Sequence, residues 1–289
     1  MNEQHRIDEA LNDAAGFFFD CGTLLEAGHT PYQYYEVWDS PLLGKLFRLD
    51  GYFMTSERDE FFYHENLIHV PAVSHPAPSS ALIIGGGDGG SAEELLKHPT
   101  MTRLALVEID GKVIDISRRY LSSIHRGALD DPRLTLHVCD GLDYVRNTAR
   151  AAGERFDLIV LDLTDPVGPA AELYSPTFFA DCKALLNDNG ALCLHVGSPF
   201  YQPQRVRRQI TELSRVFAHV CPYFVHIPLY GTLWGMACAS DRLVPAKLDS
   251  IEVDRRIAAR GLAHLQYYNG STHQAVQALP NYVRHLLAR

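Results

Sequence analysis

The sequence is short of several things, and each shortage narrows the field. Its six cysteines (Cys21, Cys139, Cys182, Cys193, Cys221, Cys238) include no Cys-x-x-Cys pair and no zinc-like spacing with histidine. Most lie in apolar runs such as Ala191–Leu194, which suits buried free thiols in a reducing compartment. No metal is expected. No apolar run approaches the roughly 20 residues that cross a bilayer. The first residues lack a basic stretch followed by an apolar one, so no secretory signal is expected and the cytoplasm is the default. Positive charge is also in deficit: 26 Lys+Arg face 35 Asp+Glu, a net charge of −9. That disfavours nucleic acid or an anionic membrane as partner, because phosphate binding needs clustered positive charge. An acidic protein with a concave site suits a cationic substrate better.

What is present is length and apolar content. With 289 residues, 46% of them hydrophobic and 21% charged, the chain can bury a sizeable core as one large domain or two modest ones. The first seventy or so residues read as strands and turns. Tyr32–Trp38 is aromatic and β-branched, Lys45–Leu49 alternates, and Asp50-Gly51 is a hairpin signal before Tyr52-Phe53-Met54. Glu60–Val70 has apolar residues at helical spacing, and His75-Pro76-Ala77-Pro78 breaks the pattern. A boundary there predicts an N-terminal β-strand domain over 1–75 and a second domain over 76–289. From residue 80 strands and helices alternate: strands at 81–84, 103–107, 134–138, 156–161 and 191–196, helices at 91–98, 112–120 and 176–186. Unbroken apolar strands, as buried parallel strands read, alternating with helices predict a doubly wound, Rossmann-like α/β sheet.

The strand ends carry the chemistry. Ligands of open α/β sheets bind beyond the carboxyl ends of the strands, and here those ends bear Asp88, Glu108, Asp140, Asp162 and Asp165. Any one of them could be an ordinary loop residue or helix cap; four successive acid-terminated strands make a pattern. The Gly85–Gly90 run permits a sharp strand-to-helix turn and close approach of a ligand. Glu108, about twenty residues further on, can accept both hydroxyls of an adenosine ribose, and Asp140-Gly141 can hold an adenine edge. Glu108 with Asp140 favours an adenosyl-sulfonium ligand over a nicotinamide dinucleotide. Asp162 and Asp165, on the Pro/Gly-stiffened stretch Asp162–Pro169, can bind an ammonium and take its proton.

These stretches, together with Leu49-Asp50-Gly51, Thr55–Glu65, Leu82–Ile84, Val107–Asp110, Ile227–Tyr230 and Tyr267-Tyr268-Asn269, resemble the polyamine aminopropyltransferases, the spermidine synthase family, over nearly the whole chain. The resemblance implies a class I methyltransferase-like sheet preceded by a small antiparallel β domain. It implies transfer of an aminopropyl group from decarboxylated S-adenosylmethionine to a diamine, most simply putrescine, releasing 5′-methylthioadenosine with no cofactor. Carried over residue by residue, Asp162 is the base, aided by Tyr63; Asp165, His64 and Tyr230 serve the acceptor amine. Gln33, Leu49, Asp88, Glu108, Asp140, Gly141 and Pro169 serve the donor, Asp88 sharing its ammonium with Asp162. A homodimer or homotetramer in the cytoplasm is implied as well, and the stretch Pro166–Tyr174 is a candidate lid.

Some positions depart from the family pattern. His64 and Met54 stand where glutamine is common, Glu93 replaces an arginine, and His195-Val196-Gly197-Ser198 replaces a Gln-Gly-Glu-Ser stretch. Phe17-Phe18-Phe19 lies where the family has a tryptophan-bearing start. His64 and His195 are equally readable as neutral core histidines. Because the changes fall on the acceptor side, cadaverine, agmatine, 1,3-diaminopropane or spermidine compete with putrescine as acceptor. Rival readings are an S-adenosylmethionine-dependent methyltransferase, a non-catalytic polyamine binder and, more distantly, a nicotinamide dehydrogenase.

Overall fold

A computed structural model describes residues 5–166 and 168–288, without the side chains of Cys21, Gly168 and Pro169. Thirteen strands form three sheets among the described residues. Strands β1 (His5–Asn12) and β2 (Ala15–Cys21) pair as an antiparallel hairpin. Strands β3 (Thr23–His29), β4 (Tyr34–Ser40), β5 (Gly44–Leu49) and β6 (Tyr52–Ser56) form an antiparallel meander. The Asp50-Gly51 turn takes positive φ at both residues, 49° and 84°, the geometry that a tight hairpin with right-handed strand twist requires.

The seven-stranded sheet holds β7 (Ser80–Gly85), β8 (Arg103–Glu108), β9 (Leu134–Val138), β10 (Phe156–Asp162), β11 (Leu186–Gly197), β12 (His219–Ile227) and β13 (Thr232–Ser240). Their order across the sheet is β12-β13-β11-β10-β7-β8-β9. The five strands from β9 to β11 are parallel, as the apolar runs suggest, whereas β13 joins β11 and β12 antiparallel. The sheet is therefore mixed and mostly parallel, a doubly wound sheet as expected, completed by an antiparallel final hairpin. A short turn at residues 228–231 joins β12 and β13, too short for the crossover that a parallel connection needs.

Period-2 alternation sends successive side chains to opposite faces. Ala81 and Ile83 join the core beneath helix α1 (Glu60–Ser74), while Leu82 and Ile84 join a second core with Tyr144, Phe178 and Phe179. The first core continues into the N-terminal strands through Ile7, Trp38, Leu46 and Phe53. A third cluster packs Tyr35, Val37, Phe47 and Leu49 on Val113 and Ile116 of helix α3 (Gly111–Tyr120). Helix α1 runs past the expected end at Val70, through Pro71, to Ser74. It is buried almost all round, so packing outweighs the roughly 3 kcal/mol that an interior proline costs.

Candidate active site

In an open sheet the binding crevice forms where strand order reverses, between two strands whose connections leave in opposite directions. Here that point lies between β7 and β10, and their carboxyl ends carry Gly85–Asp88 and Asp162. A cavity of about 300 Å³ opens there. Its wall includes Gln33, Leu49, Tyr63, His64, Asp88, Glu108, Asp140, Gly141, Asp162 and Tyr230. Ten of the twelve residues expected from sequence are thus brought together. The side chain of Pro169 lies outside the described residues, although Ala170, Glu172 and Leu173 of the same segment line the cavity.

The glycine run is shaped around Asp162. Gly86 has φ of +64°, and a Cβ there would sit 2.9 Å from Asp162 Oδ2; only glycine lets the backbone come so close. Its N–H donates to the Asp162 carbonyl at 2.8 Å. The turn then enters helix α2 (Gly90–Leu96), whose first residue leaves no room for a Cβ against the His64 ring.

Asp162 accepts hydrogen bonds from Tyr63 Oη at 3.0 Å and Ser91 Oγ at 2.7 Å. Burial and the nearby Asp88 charge raise its pKa above the usual carboxylate range, against the opposing pull of His64. Tyr63 is raised well above an ordinary phenol by burial and by the Asp162 charge, and remains a hydrogen-bond donor. His64 sits 2.9 Å from Glu60 Oε2 and 3.4 Å from Asp88 Oδ2. Burial works against its cation, but Asp88 and Glu60 outweigh burial and hold its pKa well above normal. Burial raises the Asp88 carboxyl, yet His64 and the Gly90 N–H win and lower it. Atoms of His64, Asp88 and Asp162 lie within 4.8 Å of one another. A metal would need His64 neutral, which its two carboxylate partners oppose; an organic cation needs only the carboxylates.

On the donor side, Glu108 Oε1 accepts the Asp110 N–H at 2.9 Å, and burial lifts its pKa to about 7. Asp110 caps α3 and also accepts from Thr30 Oγ1 and Gln33 Nε2, which ties the β3–β4 turn to the cavity. Asp140 caps the next short helix through one oxygen, at 2.7 Å from Leu142 N, while lining the cavity. Capping and site membership therefore coexist.

Asp165 is placed differently from expectation. It does not line the cavity; it is ion-paired with Arg205 and accepts from Gln202 Nε2 at 3.2 Å. His195 is a core histidine: Nε2 meets Tyr174 Oη at 2.7 Å and the Leu163 carbonyl at 2.8 Å, and burial with the Arg205 charge lowers its pKa to about 4. Tyr230 is pinned by its hydroxyl to the Met54 carbonyl at 2.9 Å. Glu93 bridges Lys97 and Arg126 outside the cavity.

Several contributors escape a linear reading. Glu60 was legible in retrospect, four residues before His64 on one helix face. Asp59, which fixes the Leu229 N–H at 2.7 Å, and Ser91 gave only weak signals. Arg205 gave none, since nothing in the sequence places the helix Pro203–Val216 beside Asp165, and nothing docks the hairpin β1–β2 on the meander. Phe17 and Phe19 of that hairpin pack on Phe53 at 5.5 and 5.3 Å.

The match to known proteins is broad. Residues 60–248 match the family described as "Spermine/spermidine synthase domain". A polyamine aminopropyltransferase of Nitrosomonas europaea is 46% identical over 280 residues, covering 97% of this chain and 85% of that protein. Polyamine aminopropyltransferase 1 of Pseudomonas aeruginosa is 38% identical and covers 95% of each chain. A crystal structure of spermidine synthase with the transition-state analogue AdoDATO superposes with a TM-score of 0.91 at 34% identity, over 99% of this chain and 96% of that one. Spermidine synthase from Thermotoga maritima gives 0.89 at 34% identity, over 99% and 95%. The chain belongs to the spermine/spermidine synthase family of aminopropyltransferases.

Proposed function

We propose that this chain moves the aminopropyl group of decarboxylated S-adenosylmethionine to a diamine, with putrescine as the acceptor and spermidine and 5′-methylthioadenosine as products. The observation that carries the reading is Asp162: a half-buried carboxylate of raised pKa at the switch point, between Tyr63, Ser91 and Asp88.

The chemistry explains why such a group is needed. The sulfonium leaves as a neutral thioether, so the leaving group needs little help. The nucleophile is the difficulty, because an alkylammonium with a pKa near ~10 is almost fully protonated at neutral pH. Asp162, made more basic by burial, takes one proton from the acceptor ammonium. Tyr63 orients the nitrogen, whose lone pair attacks the carbon beside sulfur. The C–S bond breaks and its electron pair stays on sulfur. Asp88 and Asp162 hold the ammonium of the aminopropyl group, and Glu108, Asp140, Gly141, Gln33, Leu49 and Pro169 cradle the nucleoside. Tyr230 shapes the acceptor side. His64 partly neutralises Glu60 and Asp88, so the pocket is less negative before the amines enter. Asp165 serves the acceptor amine only once its pairing with Arg205 yields.

Among the described residues no helix is long and apolar enough to cross a membrane. The free thiols of Cys139, Cys182, Cys193, Cys221 and Cys238 support a reducing cytoplasmic setting. The exposed Phe18, Leu24, Leu25 and Tyr52 support self-association through the N-terminal strands.

The test is an acceptor panel: purified protein, decarboxylated donor, and in turn putrescine, cadaverine, agmatine, 1,3-diaminopropane and spermidine. Methylthioadenosine release fastest with putrescine is the expected result. No release with any amine would overturn the function; a different fastest amine would overturn the acceptor.

A further inference from the structure

Eight carboxylates line the cavity, and most of them are accounted for. Asp162 is the base of the proposed reaction, while Glu108 and Asp140 serve the nucleoside. Three are paired with cations of the protein: Asp88 with His64, Glu60 with His64 and Arg126, and Glu172 with Arg146 at 3.0 Å. Asp50 is exposed at the tip of the β5–β6 hairpin. The eighth, Asp59, is only 4% exposed and makes no ion pair among the described residues. Its partners are neutral: Ser56 Oγ donates to Oδ1 at 2.5 Å, and the Leu229 N–H donates to Oδ2 at 2.7 Å. An ionised carboxylate offers about four acceptor sites, so two remain. Burial raises its pKa above the usual carboxylate range, as expected of a buried acid that lacks a cation.

The position of Asp59 gives those two sites a use. It is the N-cap residue of α1, four positions before Tyr63, a spacing that puts both on one side of the helix. The Tyr63 side chain reaches from that turn to Asp162, with Oη 3.0 Å from Oδ1. Asp59 and Asp162 therefore stand near opposite ends of one tyrosine side chain. Tyr230 faces Tyr63 edge-on, with ring centres 6.2 Å apart, and it follows Leu229, whose N–H Asp59 holds. Met54, Leu229 and Tyr230 complete an apolar wall on this side of the cavity. Four methylenes with a nitrogen at each end have about the length of a tyrosine side chain.

We propose that Asp59 binds the second ammonium of the acceptor, so that Asp162 and Asp59 together select a four-carbon α,ω-diamine. The inference rests on the aminopropyl-transfer reading above and supplies the acceptor length. The methylenes lie along Tyr63 and Tyr230, whose ring faces also favour a cation. A monoamine leaves Asp59 buried and unpaired, and a shorter diamine falls short of it.

The experiment compares kcat/KM, read as methylthioadenosine release from the decarboxylated donor, for 1,4-diaminobutane, 1,3-diaminopropane and butylamine. It uses the full chain, Asp59→Asn and Asp59→Glu. The wild type should favour 1,4-diaminobutane over butylamine at least about tenfold, the scale of one hydrogen bond to a charged group. D59N should bring that ratio close to one by raising the KM for the diamine. A merely structural Asp59 would slow both amines alike and leave the ratio unmoved. D59E keeps the charge but carries it one methylene further into the cavity, and should shift the preferred diamine to 1,3-diaminopropane. Where D59N does not fold, D59E carries the test. A wild type that uses butylamine as well as the diamine overturns the proposal without any variant. So does an unmoved ratio in a folded D59N, or a wild-type length preference in D59E. Each of these leaves aminopropyl transfer standing, whereas a wild type inactive with every amine removes both.

Discussion

At the scale of single residues, the site is a set of carboxylates whose environments push them apart. Asp162 and Glu108 are raised, Asp88 is lowered, and Asp165 is lowered, its burial outweighed by Arg205. Glu108 gives a direct prediction. Free, it titrates near 7; to accept two ribose hydroxyls it must be ionised. Below pH 7 binding must first remove its proton, so methylthioadenosine affinity should fall about tenfold per pH unit there and level off above pH 8. The same shift has the opposite sign for the unliganded fold. A raised carboxyl stabilises while protonated, so this contribution is present below pH 4.5 and is lost as pH rises through 7. Calorimetric titration with methylthioadenosine at pH 6 and pH 8 checks the binding arm, and equal affinities would contradict it. The acids at the strand ends were legible because a strand's last residue can be located from its apolar run. The partner of Asp165 was not, because Arg205 lies forty positions away on an element whose docking no local pattern encodes.

At the scale of elements, helix α1 does more than its sequence suggests. It delivers Tyr63 and His64 to the cavity on one side. On the other, Glu65 receives the backbone N–H groups of Gln266, Tyr267 and Tyr268 at 2.6, 2.9 and 2.7 Å. The Tyr267-Tyr268-Asn269 stretch thus serves the fold: it anchors the C-terminal helices to α1. Glu65→Ala would strand those donors, at about 1–3 kcal/mol for each one left unsatisfied. We expect a melting temperature lower by roughly 5–12 °C, with Glu65→Gln recovering part of it; differential scanning calorimetry on E65A reads this, and an unchanged midpoint would refute the anchoring role. The alternating strands and helices from residue 80 were legible because both faces of a parallel sheet are covered and its strands are continuously apolar. Hairpins β1–β2 and β12–β13 were less so. The first is mostly exposed, and the second carries Pro222 and Gly235 within its strands, residues that weaken a strand signal.

At the scale of the whole molecule, the chain is acidic, and the cavity at one rim of the sheet is lined by eight carboxylates and, among the described residues, by no Lys or Arg; there the two cations of the proposed reaction meet. That rim also chooses the donor. Ordinary S-adenosylmethionine brings a carboxylate toward Asp88 and Asp162, whereas the decarboxylated form brings only an ammonium. The decarboxylated donor should therefore raise the melting temperature more than the carboxylated one at equal concentration, and the reverse order would favour methyl transfer. In the proposed reaction one half-buried carboxylate, Asp162, frees the attacking nitrogen. Asp162→Asn keeps the shape and the Tyr63 and Ser91 neighbours but removes the base. Measuring methylthioadenosine binding and aminopropyl turnover on the same D162N preparation tests this most directly. Binding should stay within a few fold of wild type and turnover should fall at least about a thousandfold, in the range of lost general-base catalysis; near-normal turnover would rule Asp162 out as the base.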